Sequence, residues 1–157
     1  MGLEIERRFL VVDESWQGLA PGRFICQGYL SVDPERVVRI RIVEESAFLT
    51  IKGKGDGVAR PEFEYPLSLD DGRELLALCG GLLVEKMRYR IEFGGFVWDL
   101  DVFSGANSGL VMAEIELEQA DQEFPRPPWV GLEVTADHCY CNVNLALHPW
   151  SSWIAKG

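Results

Sequence analysis

Apolar and charged residues alternate along most of this chain with a period of two, the spacing that puts them on opposite faces of β-strands. The series opens with Glu4-Ile5-Glu6-Arg7-Arg8, followed by Phe9-Leu10-Val11-Val12. As a strand, this stretch places Glu4, Glu6 and Arg8 on one face and Ile5, Arg7 and Phe9 on the other. Asp13 to Arg23 reads as a loop with a helical turn at Trp16, and Phe24 to Val32 as a strand ended by the turn Asp33-Pro34-Glu35. Arg36 to Glu44 sets Val38, Ile40 and Ile42 opposite Arg39 and Arg41. Ala47 to Lys54 sets Leu49 and Ile51 opposite Thr50, Lys52 and Lys54. Arg60 to Leu67 sets Phe63 and Tyr65 opposite Arg60, Glu62 and Glu64. Three further strands follow the same rule. Val84 to Phe93 shows Lys86, Arg88 and Arg90 on one face, Phe96 to Phe103 shows Asp99 and Asp101, and Val111 to Glu118 shows Glu114, Glu116 and Glu118.

Between the strands, Gly53-Lys54-Gly55-Asp56-Gly57 is a hairpin turn cluster, since glycine supplies the positive φ such turns need. It lacks the Gly-Lys-Ser/Thr at a strand-to-helix junction that a phosphate loop requires. Asp70 is placed to cap a short helix through Leu78 that Gly80-Gly81 ends. Gln119 to Glu123 reads as a helical turn, and Pro125, Pro127 and Pro128 exclude regular structure after it. Val130 to Val134 reads as a short strand, and Asn142 to Leu147 as a helix stopped by Pro149. The pattern therefore predicts a mainly β (α+β) domain of about eight strands with two or three short helices, an antiparallel meander closed or nearly closed on itself.

The charges are sorted as well as alternating. Glu4/Glu6, Glu62/Glu64, Asp99/Asp101 and Glu114/Glu116 are like-charged neighbours on one face, and so are Arg39/Arg41, Lys52/Lys54 and Lys86/Arg88/Arg90. Such neighbours repel, and a chain needing only solubility would intersperse the signs. Two arrangements account for the pattern. Either the apolar faces form the core and the charges meet water, or the barrel is inverted. In an inverted barrel the charges line a lumen, and helices, loops or a second subunit cover the apolar outside. Alternation alone favours the first, the usual antiparallel arrangement; sorting favours inversion, because gathered carboxylates need a cation and gathered Arg and Lys need an anion. Asp and Glu oxygens suit a hard divalent ion such as Mg2+ or Mn2+, Arg and Lys suit phosphate oxygens, and a polyphosphate carrying metal satisfies both.

Composition narrows the partners. The 157 residues fit one domain, 1–157, and the formal net charge of −10 argues against general binding to nucleic acid or anionic membranes. No apolar run is long enough to span a bilayer, and Met1-Gly2-Leu3-Glu4 is charged too early for a signal peptide. Cys26, Cys79, Cys139 and Cys141 are irregularly spaced, which points to free thiols in a reducing cytoplasm. His138, Cys139, Cys141 and His148 match no standard zinc spacing. Trp129, Trp150 and Trp153, with Tyr29 and Tyr89 on the outer face, read as packing residues, and Leu145-Ala146-Leu147 as part of a helix closing one end of a tunnel.

The opening Glu4-Ile5-Glu6-Arg7-Arg8-Phe9-Leu10-Val11 resembles the signature of the CYTH proteins, the triphosphate tunnel metalloenzymes, whose usual form is Glu-x-Glu-x-Lys. The resemblance continues in order through Val38-Arg39-Ile40-Arg41, Thr50-Ile51-Lys52, Glu62-Phe63-Glu64, Val84-Glu85-Lys86-Met87-Arg88-Tyr89, Asp99-Leu100-Asp101-Val102-Phe103, Ala113-Glu114-Ile115-Glu116, Glu133-Val134-Thr135 and Tyr140-x-Asn142. It implies a closed eight-stranded antiparallel tunnel with a charged interior, flanked by a few short helices, that binds a small triphosphate with Mg2+ or Mn2+. Carried over residue by residue, it implies that Glu4, Glu6, Asp101, Glu114 and Glu116 are metal ligands, direct or through water. Arg8, Arg39, Arg41, Lys52, Lys86 and Arg88 become the phosphate cradle, and Arg8, Lys86, Glu62 and Glu64 the catalytic set, with metal binding, water positioning and pairing with Arg as the alternative roles of Glu62 and Glu64. The compact layout looks most like a metal-dependent hydrolase of inorganic tripolyphosphate. Adenylyl cyclase chemistry in the same tunnel and a non-catalytic polyphosphate binder are the alternatives, and a homodimer is one assembly that would cover apolar outer faces. The chain departs from the signature at Arg8, which stands in place of Lys. It departs again at Cys139, where relatives carry a basic residue, with Arg90 and His138 as the nearby substitutes.

Overall fold

The computed structural model describes residues 2–56 and 58–154; Gly57, within the predicted turn cluster, lies outside them. The strands are β1 (Gly2–Val11), β2 (Gly22–Ser31), β3 (Arg36–Val43), β4 (Ser46–Gly53), β5 (Ala59–Leu67), β6 (Leu83–Phe93), β7 (Phe96–Phe103), β8 (Val111–Glu116) and β9 (Val130–Glu133). The α-helices are α1 (Leu69–Leu78), α2 (Asn142–Leu147) and α3 (Trp150–Ile154), with 3-10 turns at Gly105–Asn107 and His138–Tyr140. Neighbouring strands run in the order β5-β4-β3-β2-β6-β7-β8-β1, and β1 pairs back onto β5, so the first eight strands form a closed antiparallel barrel. Beyond its pairing with β5, β1 takes up β9 on the same edge, with Phe9 opposite Glu133 and Val11 opposite Val130. Closure leaves no long unpaired edge.

Several boundaries differ from the sequence reading. β4 stops at Gly53, so Lys54 leaves the Lys52 face and pairs with Glu35 outside the barrel at 3.5 Å. β8 stops at Glu116, which takes Glu118 off the acidic face. Ser68 rather than Asp70 caps α1, its side chain accepting a hydrogen bond from the Asp71 amide; Asp70 and Asp71 instead fill the first turn, where the helix dipole favours acid. Gln119–Glu123 forms a turn and no helix, and α3 resumes beyond the stop at Pro149. Gly94-Gly95, at φ 59° and 85°, makes the tight β6–β7 turn, a conformation residues with a Cβ rarely adopt.

The barrel is inverted. The outer faces of β1, β6, β7 and β8 bury Ile5, Phe9, Ile91, Trp98, Leu100, Ala113 and Ile115. Trp16, from the loop after β1, and Leu117, Phe124 and Trp129, from the segment after β8, lie over them. Trp98 is their centre, with edge-on contacts to Phe9 at 5.5 Å, Phe124 at 5.6 Å and Trp129 at 5.7 Å. The proline-rich stretch is thus irregular in backbone but fixed by aromatic packing, each such side chain stabilising by roughly 2 kcal/mol. On the other side α1 packs over β3 and β4 so closely that a Cβ at Gly72 would lie 2.4 Å from that of Ala47. The cover that a second subunit was one way to supply comes from the chain itself.

A second apolar cluster holds Tyr29, Val37, Val84, Phe103, Leu110, Met112, Val134 and Leu145. Residues directly opposite across paired strands point to the same face. Tyr29 faces Arg39, Val37 faces Lys52, Val84 faces Gln27, Phe103 faces Lys86 and Met112 faces Asp101. This cluster therefore sits inside the barrel and fills one end of the lumen, with Leu145 of α2 packed against it. Tyr29 is an inward residue, correcting its assignment to the outer face; Tyr89 is outward, stacked near Trp16 at 5.0 Å.

Candidate active site

Register brings every sequence-predicted site residue to the lumen. Glu6 pairs with Glu116 and Arg8 with Glu114 across β1–β8, and Asp99 pairs with Glu114 across β7–β8. Arg88 pairs with Asp101 across β6–β7, Arg39 with Thr50 across β3–β4, and Lys52 with Glu62 across β4–β5. The acidic residues of β1, β7 and β8 form one wall and the basic residues of β3, β4 and β6 another. Glu62 and Glu64 stand on β5, the strand that closes the ring.

As folded, the two signs neutralise each other. Lys52 Nζ lies 3.0 Å from both Glu4 oxygens and 3.4 Å from Glu62. Arg8 bridges Glu6 at 3.1 Å and Glu114 at 3.4 Å. Asp101, almost fully buried, takes Lys86 at 2.8 Å and a two-point grip from Arg88 at 2.7 and 2.9 Å. Arg39 reaches Thr50 at 3.1 Å and Glu64 at 3.7 Å, yet its buried Nε has no hydrogen-bond partner. Arg41 differs from the rest: among the described residues it meets no carboxylate, and its Nε and Nη2 both donate to Gln27 Oε1, at 2.9 and 2.8 Å.

These placements set the protonation. Burial opposes the charge on Glu114, but Arg8, Arg88 and Lys86 hold its carboxyl well below the usual carboxylate range. Burial also opposes the charge on Asp101, which Arg88 and Lys86 nevertheless keep ionised. Burial, with Glu114 and Glu4 nearby, pushes Glu6 up to about 7, and burial with Glu4 and Asp99 raises Glu116. The Lys86 ammonium is pushed down to about 7 by burial, against the pull of Asp101 and with Arg88 and Arg41 crowding it. Burial and the nearness of Arg39 and Arg88 push Arg41 down to about 9. Burial thus opposes the charge on Glu6 and Glu116 of the acidic wall, and on Arg41, which its cationic neighbours Arg39 and Arg88 disfavour further.

These carboxylates test the fit of a metal. Glu6 and Glu116, opposed across β1–β8 and both raised by burial and by other nearby carboxylates, are oxygen donors suited to a hard divalent ion. As they stand, no three or more His, Cys, Asp or Glu among the described residues are grouped to hold an ion, since Arg8, Lys52, Lys86 and Arg88 stand among the carboxylates. The donor chemistry fits, with part of the coordination left to substrate oxygens. The histidine and cysteine segment is no such site either: His138 and Cys139 are exposed on their 3-10 turn. Arg90 stands at the rim, largely exposed, 3.4 Å from Asp99.

Four lumen residues escaped the sequence reading as site residues: Gln27, Tyr29, Thr50 and Arg60. Thr50 donates to Glu64 at 3.1 Å, and Arg60 lies 3.5 Å from Glu4. Asn142, at the start of α2, accepts from Lys86 Nζ at 2.9 Å, so the Tyr140-x-Asn142 segment reaches the cradle. The signal for Gln27 and Tyr29 was available. A hairpin centred on Pro34 pairs residues equidistant from it, which sets Gln27 beside Arg41 and Tyr29 beside Arg39.

Comparison with known proteins agrees with this geometry. The family model for the CYTH domain matches residues 2–139. The inorganic triphosphatase of Acetivibrio thermocellus is 41% identical over 154 residues, spanning 98% of this chain and 99% of that one. The inorganic triphosphatase of Nitrosomonas europaea is 38% identical over 148 residues, spanning 92% and 97%. A crystal structure of an inorganic triphosphatase superposes with a TM-score of 0.68 at 36% identity, covering 94% of this chain and 96% of that one. An eight-stranded lumen with opposed acidic and basic walls, matched along nearly its whole length, places this chain in the CYTH domain family.

Proposed function

We propose that this protein, its whole chain acting as one CYTH domain, is a divalent-metal-dependent hydrolase of inorganic tripolyphosphate or another small triphosphate. The observation that carries this reading is the convergence of Arg39, Arg41, Lys52, Lys86 and Arg88 on one wall of a lumen, facing an acidic wall in which Arg8 stands. Relatives near 40% identity that are inorganic triphosphatases support the substrate class. Arg39, with an unused buried Nε, and Arg41, without a carboxylate, are free to grip phosphate oxygens. Lys86 and Arg88 turn from Asp101 to the phosphate chain when it enters, releasing a carboxylate to the acidic wall. Glu4, Glu6, Asp101, Glu114 and Glu116 are the residues that would hold Mg2+ or Mn2+. Such an ion would neutralise phosphate charge and lower the pKa of an attacking water.

Phosphoryl transfer depends chiefly on positioning and charge stabilisation. Arg8 supplies fixed charge but cannot give up a proton. Lys86, held near neutrality, is the group placed to protonate the leaving phosphate, and Glu62 and Glu64 tune Lys52 and Arg39 from β5. Four free thiols fit a cytoplasmic protein, and no helix among the described residues is long and apolar enough to cross a membrane.

The test is turnover of tripolyphosphate, thiamine triphosphate and ATP with Mg2+ or Mn2+. Phosphate release from tripolyphosphate is expected, falling by about 100-fold or more in Glu114→Gln. Cyclic AMP with pyrophosphate would instead make it a cyclase, and tight tripolyphosphate binding without turnover a binding protein. Arg8→Lys is expected to raise turnover more than affinity; an unchanged rate would make position 8 a phosphate contact alone.

A further inference from the structure

Gln27 is fully buried on β2, between the cationic strands β3 and β6. A guanidinium only donates hydrogen bonds, so the Gln27 carbonyl must be the end that faces Arg41. The amide end then points the other way, donating to Tyr29 Oη at 2.9 Å and to Asn142 Oδ1 at 3.4 Å. The same Asn142 oxygen accepts from Lys86 Nζ at 2.9 Å. One neutral side chain thus links a β3 arginine, the α2 helix and a β6 lysine.

Its neutrality is the telling property. Among the described residues Arg8, Arg39, Lys52, Lys86 and Arg88 each have a carboxylate within 4 Å, whereas Arg41 has none. A carboxylate at position 27 would make the same two bonds and cancel the charge. A carboxamide fixes the guanidinium and leaves its charge for an incoming anion. Burying an uncompensated charge is costly, so the arrangement is costly unless an anion completes it.

We infer that Gln27 is a positioning residue for the phosphate cradle, holding Arg41 uncompensated in the lumen and tying it through Asn142 to Lys86. This rests on the reading of the lumen as a triphosphate site. Two variants, Gln27→Glu and Gln27→Met, are compared with Arg41→Ala by tripolyphosphate kinetics, tripolyphosphate calorimetry and thermal melting. Gln27→Glu is expected to raise KM and Kd for tripolyphosphate by about tenfold or more, to lower kcat less, and to keep or raise Tm through the new ion pair. Gln27→Met, which keeps the shape but neither bond, is expected to raise KM while still folding. Wild-type KM and Kd in Gln27→Glu alongside a crippled Arg41→Ala would overturn the role of Gln27 while leaving the cradle standing. So would a lowered Tm with unchanged KM in Gln27→Met, which marks mere packing. An unimpaired Arg41→Ala would bring down the cradle reading itself.

Discussion

The two ends of the lumen are lined by the same strands and by alternate residues of the same faces, yet one end is salt and the other is core. On β6 the inward face passes from Val84 to Lys86 and Arg88; on β8 it passes from Met112 to Glu114 and Glu116; on β3 it passes from Val37 to Arg39 and Arg41. In the apolar end Val84, Phe103, Met112 and Leu145 exclude water and pack as any interior does. In the charged end, buried ions are held by one another and by a few neutral side chains, Gln27, Thr50 and Asn142. The first end is stable as it stands; the second is a store of paired and partly unpaired charge that an ion and an anion can rearrange. A side chain's place along the lumen, and not the face it occupies, decides which regime it joins.

The comparison breaks most sharply at Asp101. Replacing it by Ala leaves Lys86 and Arg88 buried without their main counterion and should cost about 4 kcal/mol in urea unfolding. Tripolyphosphate should then recover more stability in this variant than in the wild type, because an anion takes the carboxylate's place. Met112→Ala, in the apolar end, should cost about 3 kcal/mol through its cavity, with the wild-type response to tripolyphosphate. Equal recovery in the two variants would erase the distinction between the ends.

The next effect is a pH dependence. Glu6 titrates near 7 in the fold and near 4.5 unfolded, so between those values the native state binds more protons than the unfolded one. Metal-free protein should therefore lose stability as pH rises through this window, on the order of 3 kcal/mol from this group. Mg2+ should raise Tm more at pH 8 than at pH 5; a pH-independent shift would remove Glu6 from the metal wall. The smallest effect belongs outside the barrel. Arg7 grips Glu133 at 2.8 and 2.6 Å from the outer face of β1, and Arg7→Ala should cost at most about 1 kcal/mol with turnover unchanged, a contrast that its lumen neighbour Arg8 should not show.

Much of the barrel was legible because alternation with a period of two is local. β7 and α2 begin and end where the residues predict, and the lumen faces of β1, β3, β4, β5, β6 and β8 are those the charges marked. Errors arose where tertiary contacts end an element. Lys54 and Glu118 continue the alternation in sequence but leave the sheet after Gly53 and Glu116. Ser68 outcompetes Asp70 as the cap because the helix starts two residues earlier, at Leu69. Tyr29 and Gln27 were overlooked because a lone aromatic and a lone amide carry no periodic signal; only pairing with β3 shows which way they face.

By itself the sequence determined which residues share a face, that like charges gather strand by strand, and that acids and bases fall mostly on different strands, Arg8 on β1 and Arg60 on β5 apart, since all three follow from spacing along one chain. Which face points inward was decided by closure of β1 onto β5 and by the aromatic cover of Trp16, Phe124 and Trp129, contacts between residues far apart in sequence. Tertiary structure alone also decided the pairing of charges. Whether a carboxylate is kept ionised, as Asp101 is by Lys86 and Arg88, or raised, as Glu6 is, depends on its burial and on which charges come within a few ångströms. Arg41, alike in sequence to Arg39, is set apart only by the neutral side chain that β2 places against it.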